Sequence, residues 1–244
     1  SQTVGGVLPL VYFLRPNDSR LHLTITKIEL VPMLKACGNG SSELMSSVSS
    51  SIVSMIYNFQ LLKYLGEDGL SAYGVLMYVQ FIFIAIFIGY SIGCAPIVGF
   101  HYGAGNTSEL RNMLKKSLTL MGGSGILLSA LAFLCAGILA KIFVGYDAGL
   151  HALTVHAFRI FSFAFLLSGI NIFLSSFFTA LNNGAVSAAI SFLRTLVFQT
   201  STVLILPLIL DVDGIWIAMT VSEICAFAVS LAFLFGKRKK YGYM

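Results

Sequence analysis

Among the ionisable side chains in or at the edge of long apolar runs, Glu43, Arg194 and Glu223 are the candidates for ion coupling or a buried pair. A carboxylate in apolar surroundings either pairs with a fixed cation or exchanges a proton or another ion. Arg194 and Glu223 fit both readings: each falls roughly ten residues into its own run, which at ~1.5 Å per residue is about 15 Å. The two runs are consecutive, so a buried pair that holds two helices together and a proton-coupled carboxylate both stay open. Glu43 sits at a run's edge and reads as an interfacial acid or a coupling group. Four amides, Asn58, Gln80, Asn171 and Gln199, also fall within apolar runs. They are candidates for helix–helix hydrogen bonds or for the wall of a polar cavity. Patterns for hydrolysis, such as HExxH, GxSxG or paired aspartates in a run, do not occur, and the chain is not expected to be an enzyme. Cys37, Cys94, Cys135 and Cys225 are far apart and have no CxxC spacing, so neither zinc nor a disulfide framework is expected. His101 and His156 have no ligand partner at useful spacing, and no cofactor is expected.

These groups need elements to hold them. The 244 residues are 57% hydrophobic and 10% charged, with a mean hydropathy of +0.88, against about 25% charged residues in an ordinary soluble domain. Too little polar surface remains to cover a water-soluble globule. Six apolar runs, at 43–64, 70–98, 112–140, 151–181, 185–210 and 214–236, are each long enough to span a bilayer as a helix. They are continuous and do not alternate, which argues against membrane strands. The fold class is therefore an all-α polytopic membrane protein. The opening run, 1–14, is too short to span and reads as the end of a preceding helix, so the chain is expected to be a fragment.

Charge sets an orientation. If the runs weave up and down, Arg15, Arg20, Lys27, Lys35, Arg111, Lys115, Lys116, Lys237, Arg238, Lys239 and Lys240 share one side. The other side receives Lys63 and Lys141 with Glu67, Asp68, Asp147, Asp211 and Asp213. The basic side is expected to be cytoplasmic. The net charge of +5 is thereby explained without nucleic acid, and the expected partner is the lipid bilayer. Residues 15–42 read as a cytoplasmic linker that could lie along the membrane surface, 43–236 as a six-helix lobe and 237–244 as a basic tail. The first span, "SSELMSSVSSSIVSMIYN", carries eight serines. It reads as a close-packing face, as a polar cavity wall, or as both.

A specific string ends the second span: "APIVGFHYGAGN", residues 95–106. Pro96 removes a helix donor near the end. Gly99, Gly103 and Gly105 permit positive φ or close backbone approach. Asn106 or Thr107 can cap the next helix, with Glu109 near its positive end. The continuation "NTSELRNMLKKSL" adds a basic helix start. Pro96, Gly99, Gly103, Ala104, Gly105 and Asn106 resemble the loop between the second and third helices of each lobe in the multidrug and toxic compound extrusion (MATE) family. "NFQLLKYLGEDGLSAYGVL", "FFTALNNG" and "DGIWIAMTVSE" agree with that resemblance, which covers essentially the whole chain. The wording is most similar to the branch that includes MepA-type bacterial exporters.

The resemblance implies two six-helix lobes that rock about a central cavity, of which this chain supplies the carboxyl lobe, helices seven to twelve, and the end of helix six. It implies export of small amphipathic organic cations by antiport against H+ or Na+, in a bacterial cytoplasmic membrane. It also implies a missing amino-terminal lobe and a structural role for the glycine turn. Two departures matter. Some sodium-coupled members carry carboxylates where Ser51 and Asn171 stand here. Flippases for lipid-linked sugars, the alternative on this architecture, line their cavity with several arginines and lysines, whereas here only Arg159 and Arg194 lie well inside runs, Lys63, Lys115 and Lys116 falling near run ends.

Overall fold

The computed structural model describes residues 2–14 and 29–243. The chain divides into two compact units, Ser1–Ala36 and Cys37–Met244. The first contains α1 (Gln2–Leu14), with Pro9 inside it. The linker expected at 15–42 falls partly outside the described residues, at 15–28. From residue 30 onward it is helical, the start of α2 (Leu30–Gly103).

The larger unit is built from helices. After α2 come α3 (Thr107–Val144), α4 (Ala148–Phe161), α5 (Phe165–Ala180), α6 (Gly184–Phe192), α7 (Gln199–Ile205) and α8 (Pro207–Tyr241). A single 3-10 turn, Ser162–Ala164, joins α4 to α5, and a wide π-helical stretch, Leu193–Phe198, joins α6 to α7. Among the described residues, five helices are long and apolar enough to cross a membrane: Ser47–Gly103, Thr107–Val144, Ala148–Ala180, Gly184–Ile205 and Pro207–Tyr241.

Five helices and six expected spans are reconciled by a reversal at Gly66, which makes two passes of the first helix; a second reversal, at Asp211, adds no pass and leaves residues 207–210 with the pass before it. The 57 residues of Ser47–Gly103 would extend about 85 Å if straight, nearly three times a hydrocarbon core of ~30 Å. Gly66 breaks the helical path at φ 66°, ψ −147°. Beyond it the chain doubles back, because Tyr57 and Tyr73 stack at 5.3 Å with their planes 5° apart, where a straight helix would separate them by ~24 Å. Asp211, at φ 48° and ψ −131°, does the same inside α8. There the Gln199 Nε2 donates to the Met219 sulfur at 3.1 Å, although ~30 Å of straight helix would lie between them.

The expected span ends are short by several residues, because the helices run past the apolar stretch to their caps. The second pass does not stop at Pro96, and residues 99–103 are helical. Only Gly105 takes positive φ, 69°. It forms a Schellman cap: the Gly105 N–H donates to Tyr102 O at 3.1 Å and the Asn106 N–H to His101 O at 2.9 Å. Asn106, not Thr107, then caps α3 by accepting from the Glu109 N–H at 3.1 Å. A Cβ on Gly103 would meet nothing, and one on Gly99 would make an ordinary contact with Ala180 O, so neither glycine is needed for the turn itself. The same circuit closes α5. Asn182, at φ 56°, donates to Thr179 O at 2.9 Å, and the Asn183 N–H donates to Phe178 O at 2.9 Å. Asn183 then caps α6.

Two apolar clusters form the core. One gathers Tyr57, Tyr73, Ala132, Ala136, Phe158, Phe165 and Trp216; the other gathers Phe87, Met121, Phe173, Phe177, Phe178 and Tyr243. The tail expected at 237–244 is largely helix. α8 continues through Lys237–Lys240 to Tyr241 and is capped by Gly242, whose N–H donates to Arg238 O at 2.9 Å. Tyr243 is fully buried, donates its hydroxyl to Leu234 O at 2.8 Å, and packs edge-on against Phe177 at 5.4 Å. Burial and the neighbouring Tyr241 push the Tyr243 phenol pKa upward.

Candidate functional site

A cavity of about 420 Å³ opens within the larger unit. The two arms of α2 supply Ser50, Val53, Ser54, Tyr57, Tyr73, Met77, Gln80 and Ser91 to its wall. α5 supplies Ser175, Ser176 and Thr179, and the α6–α7 pass supplies Ser191, Arg194, Thr195 and Gln199, with Met219 from α8. The serine-rich first span thus contributes at least two hydroxyls to the wall. It also buries Ser49, so packing and wall coexist on one helix.

Behind this wall lies the most polar cluster in the core. Glu223 is fully buried. Arg194 grips it twice over: its Nε donates to Oε1 at 3.0 Å and Oε2 at 3.1 Å, and its Nη2 donates to Oε1 at 2.7 Å. Asn171, also fully buried, donates its Nδ2 to Oε2 at 2.7 Å and to the Glu223 backbone oxygen at 3.0 Å. A buried carboxylate and guanidinium repay their desolvation only with such geometry and with additional hydrogen bonds. The arrangement keeps asymmetric access. The arginine side chain is 15% exposed and lines the cavity, while the glutamate, at 1%, stands behind it.

The wide helical stretch explains how Arg194 reaches. A π turn displaces side chains from their regular α positions, and Arg194 is its second residue. Nearby, α5 and α6 approach through hydroxyls. Ser175 Oγ lies 3.0 Å from Ser187 Oγ and 2.8 Å from Ser191 Oγ, and Thr179 Oγ1 lies 2.6 Å from Ser187 Oγ. Small side chains with mutual hydrogen bonds permit this close packing in an apolar medium.

The candidate amides separate. Gln80 and Gln199 line the cavity, and the Gln80 Oε1 has no hydrogen-bond partner. Asn171 is not on the wall but joins the ion pair behind it. Asn58 is exposed and off the wall of this cavity, because one residue of helix turns the side chain by ~100° and Tyr57 takes the inward position. The Tyr57 hydroxyl is buried without a partner. The side chain of Glu43 lies outside the described residues. Ser51 is exposed and donates to Ser47 O at 3.3 Å. Sequence reasoning missed Gln60, which is buried and donates to Val203 O at 3.3 Å, and missed that His156 pairs with Asp213 at 2.7 Å near the Asp211 reversal. Spacing alone could not reveal the latter, since 57 residues separate the partners. Among the described residues, no group of three or more His, Cys, Asp or Glu could hold a metal ion.

Comparison with known proteins gives a consistent answer. The MatE family model matches residues 44–204. A search of curated protein sequences finds no match. Among solved structures, the chain is similar to a MATE protein in complex with MaL6, at 18% identity and a TM-score of 0.87, covering 99% of this chain and 54% of that one. It is similar to the outward-facing conformation of a multidrug resistance MATE family transporter of the MOP superfamily, at 20% identity and 0.86, with coverages of 99% and 54%. A MOP superfamily transporter from Pyrococcus furiosus Vc1 (DSM3638), whose binding pocket is described as of reverse polarity, matches at 20% identity and 0.85, with coverages of 97% and 53%. The chain therefore spans about half the length of the solved structures it matches, and at these identities the likeness is one of fold.

Proposed function

The chain belongs to the MatE family, and from that premise we propose that it acts as one lobe of a membrane transporter exporting amphipathic organic cations by antiport against H+ or Na+. The lobe would pair with an amino-terminal counterpart, and the two would rock about a shared cavity. The observation that carries the reading is the composition of the cavity wall. It combines serine and threonine hydroxyls with Tyr57, Tyr73, Phe161, Met77 and Met219. Aromatic faces attract cations and methionine adapts to varied shapes, which suits cargo that is apolar, charged and variable. The only charged side chain on the wall among the described residues, Arg194, is neutralised by Glu223. The wall therefore carries no unpaired positive charge to repel a cation.

The test is a drug-susceptible bacterial strain producing the chain joined to its amino-terminal lobe. Resistance to ethidium-like dyes is the expected outcome. Absence of resistance together with restored movement of a lipid-linked sugar would replace this reading with the flippase one. Orientation is tested separately. The ends of α2 and α8 meet at one rim, where Tyr102 and Tyr241 lie 5.6 Å apart, and the basic residues 237–240 make that rim the cytoplasmic one in this reading. Single cysteines at 67 and 147 should then label from outside. Labelling of both only from the cytoplasm would reverse the assignment.

A further inference from the structure

We propose that a groove on α3 holds one anionic glycerophospholipid, with its phosphate at Lys115 and Lys116 and an acyl chain against Gly123. The groove has a volume of about 540 Å³. Its lining runs from Asn112, Lys115, Lys116 and Thr119 at one end to Leu120, Gly123 and Ser124 at the other. Helix length sets its depth. Residues 117–140, between Lys116 and Lys141, carry no charge. They measure about 36 Å of helix, little more than a hydrocarbon core of ~30 Å. Lys115 and Lys116 therefore stand where headgroups give way to chains, and the groove runs across that boundary. The rim is the one that carries the basic tail, because α3 begins where α8 ends: a Cβ on Gly242 would meet Thr107 Cγ2 at 2.9 Å.

The groove presents its chemistry in the order of a lipid. Two ammonium groups come first. Both lysines are exposed, and neither forms an ion pair with a described residue. The one acid on this end of α3, Glu109, accepts from Asn112 Nδ2 at 3.4 Å and is outnumbered by Arg111, Lys115 and Lys116. Ammonium groups at this level attract phosphate as point charges. The hydroxyls farther along donate into their own helix, Thr119 Oγ1 to Lys115 O at 3.0 Å and Ser124 Oγ to Met121 O at 3.1 Å. Leu120 and Gly123 then lie at hydrocarbon depth. Gly123 is exposed, and a Cβ on it would meet nothing, so an acyl chain can lie directly against the backbone there. Free phosphate would engage the lysines and leave the apolar end bare, whereas a lipid fills both. A zwitterionic lipid carries its own cation beside the phosphate, so the two lysines select an anionic one. α3 lends no residue to the cavity wall, which separates this site from the cavity. A failed export assay would leave it standing, since it needs only a chain that spans a bilayer.

The experiment titrates the whole chain in detergent with dioleoyl-phosphatidylglycerol or dioleoyl-phosphatidylcholine and counts retained lipid by native mass spectrometry. Expected is one phosphatidylglycerol retained at concentrations where phosphatidylcholine is not. Lys115→Gln with Lys116→Gln should weaken that retention by about fivefold per lysine. Gly123→Leu keeps both charges, favours helix and fills the hollow, so it should lose the lipid with no fall in Tm. Arg238→Gln with Lys239→Gln, and Gly137→Leu, where a Cβ also meets nothing, should retain it. Equal retention of the two lipids would overturn the proposal, as would full retention by Gly123→Leu. An equal loss from the tail variant would reduce the effect to surface charge and overturn it too. Full competition by sn-glycerol 3-phosphate would make the groove a site for any phosphate, with the same result. If Gly123→Leu loses stability, the lysine and tail variants decide the matter between them.

Discussion

Two hairpins in this lobe reverse with the same backbone and close on different interiors. α2 turns at Gly66 with φ 66° and ψ −147°, and α8 turns at Asp211 with φ 48° and ψ −131°. The first closes on stacked tyrosines, Tyr57 on Tyr73. The second brings its returning arm back along the pass that carries Arg194 and closes on the ion pair with Glu223. An aromatic stack gains by area and tolerates imperfect geometry. A buried ion pair does not, because losing either partner leaves the other charge uncompensated. The hairpins also differ in how easily they turn. Glycine adopts this region freely, whereas a residue with a Cβ holds it at a cost. The hairpin with the demanding interior also has the strained turn.

The largest effect should come from the ion pair. Glu223→Gln strands the Arg194 guanidinium and should lower stability by roughly 3–5 kcal/mol, while Arg194→Met with Glu223→Met should recover most of that loss. Thermal unfolding of the three proteins decides it, and a fully stable Glu223→Gln chain would equate the two interiors and sink the contrast. The turns come next, with opposite signs. Asp211→Gly should raise stability and Gly66→Ala lower it, each by about 1–3 kcal/mol. Equal signs would mean that the two reversals are not equivalent. A smaller change tests the aromatic interior. Tyr57→Phe keeps the stack and deletes a buried hydroxyl without a partner, so it should be neutral or stabilising by no more than about 1 kcal/mol. Smallest of all, Asp213→Asn breaks the pair with His156, whose side chains are both 56% exposed; a shift beyond measurement error in Tm would contradict the expectation for an exposed pair.

Much of this contrast was legible in the chain, and the rest was hidden for physical reasons. Length and continuity of the apolar runs gave helices, and residue counting put Arg194 and Glu223 at one depth on neighbouring passes. The participation of Asn171 was not legible, because it comes from a helix earlier in the chain and an amide carries no charge to demand a partner. Nor was the inward face of the first span. Serines surround that helix on every side, so periodicity does not choose Tyr57 over Asn58. The turn at residues 103–106 offered several glycines where one was needed. The capping asparagine at 106 marks the position before it as the left-handed one, and Gly105 follows from that rule. The matching cap at Asn182 was obscured because asparagine, not glycine, occupies the left-handed position.

The wide stretch at Leu193–Phe198 has a consequence for how this pass tolerates insertion and deletion. A π turn is an α-helix with one residue added, so it advances the phase of everything after it by ~100° relative to everything before. Upstream, Ser187 and Ser191 must face α5; downstream, Gln199 must face Met219. Removing any one residue from the stretch would restore a regular helix and put those two halves out of phase. The same deletion a few residues away would leave the π turn intact and misplace one half alone. The pass therefore behaves as two phase-locked segments joined by a one-residue spacer, and the spacer is where Arg194 is mounted.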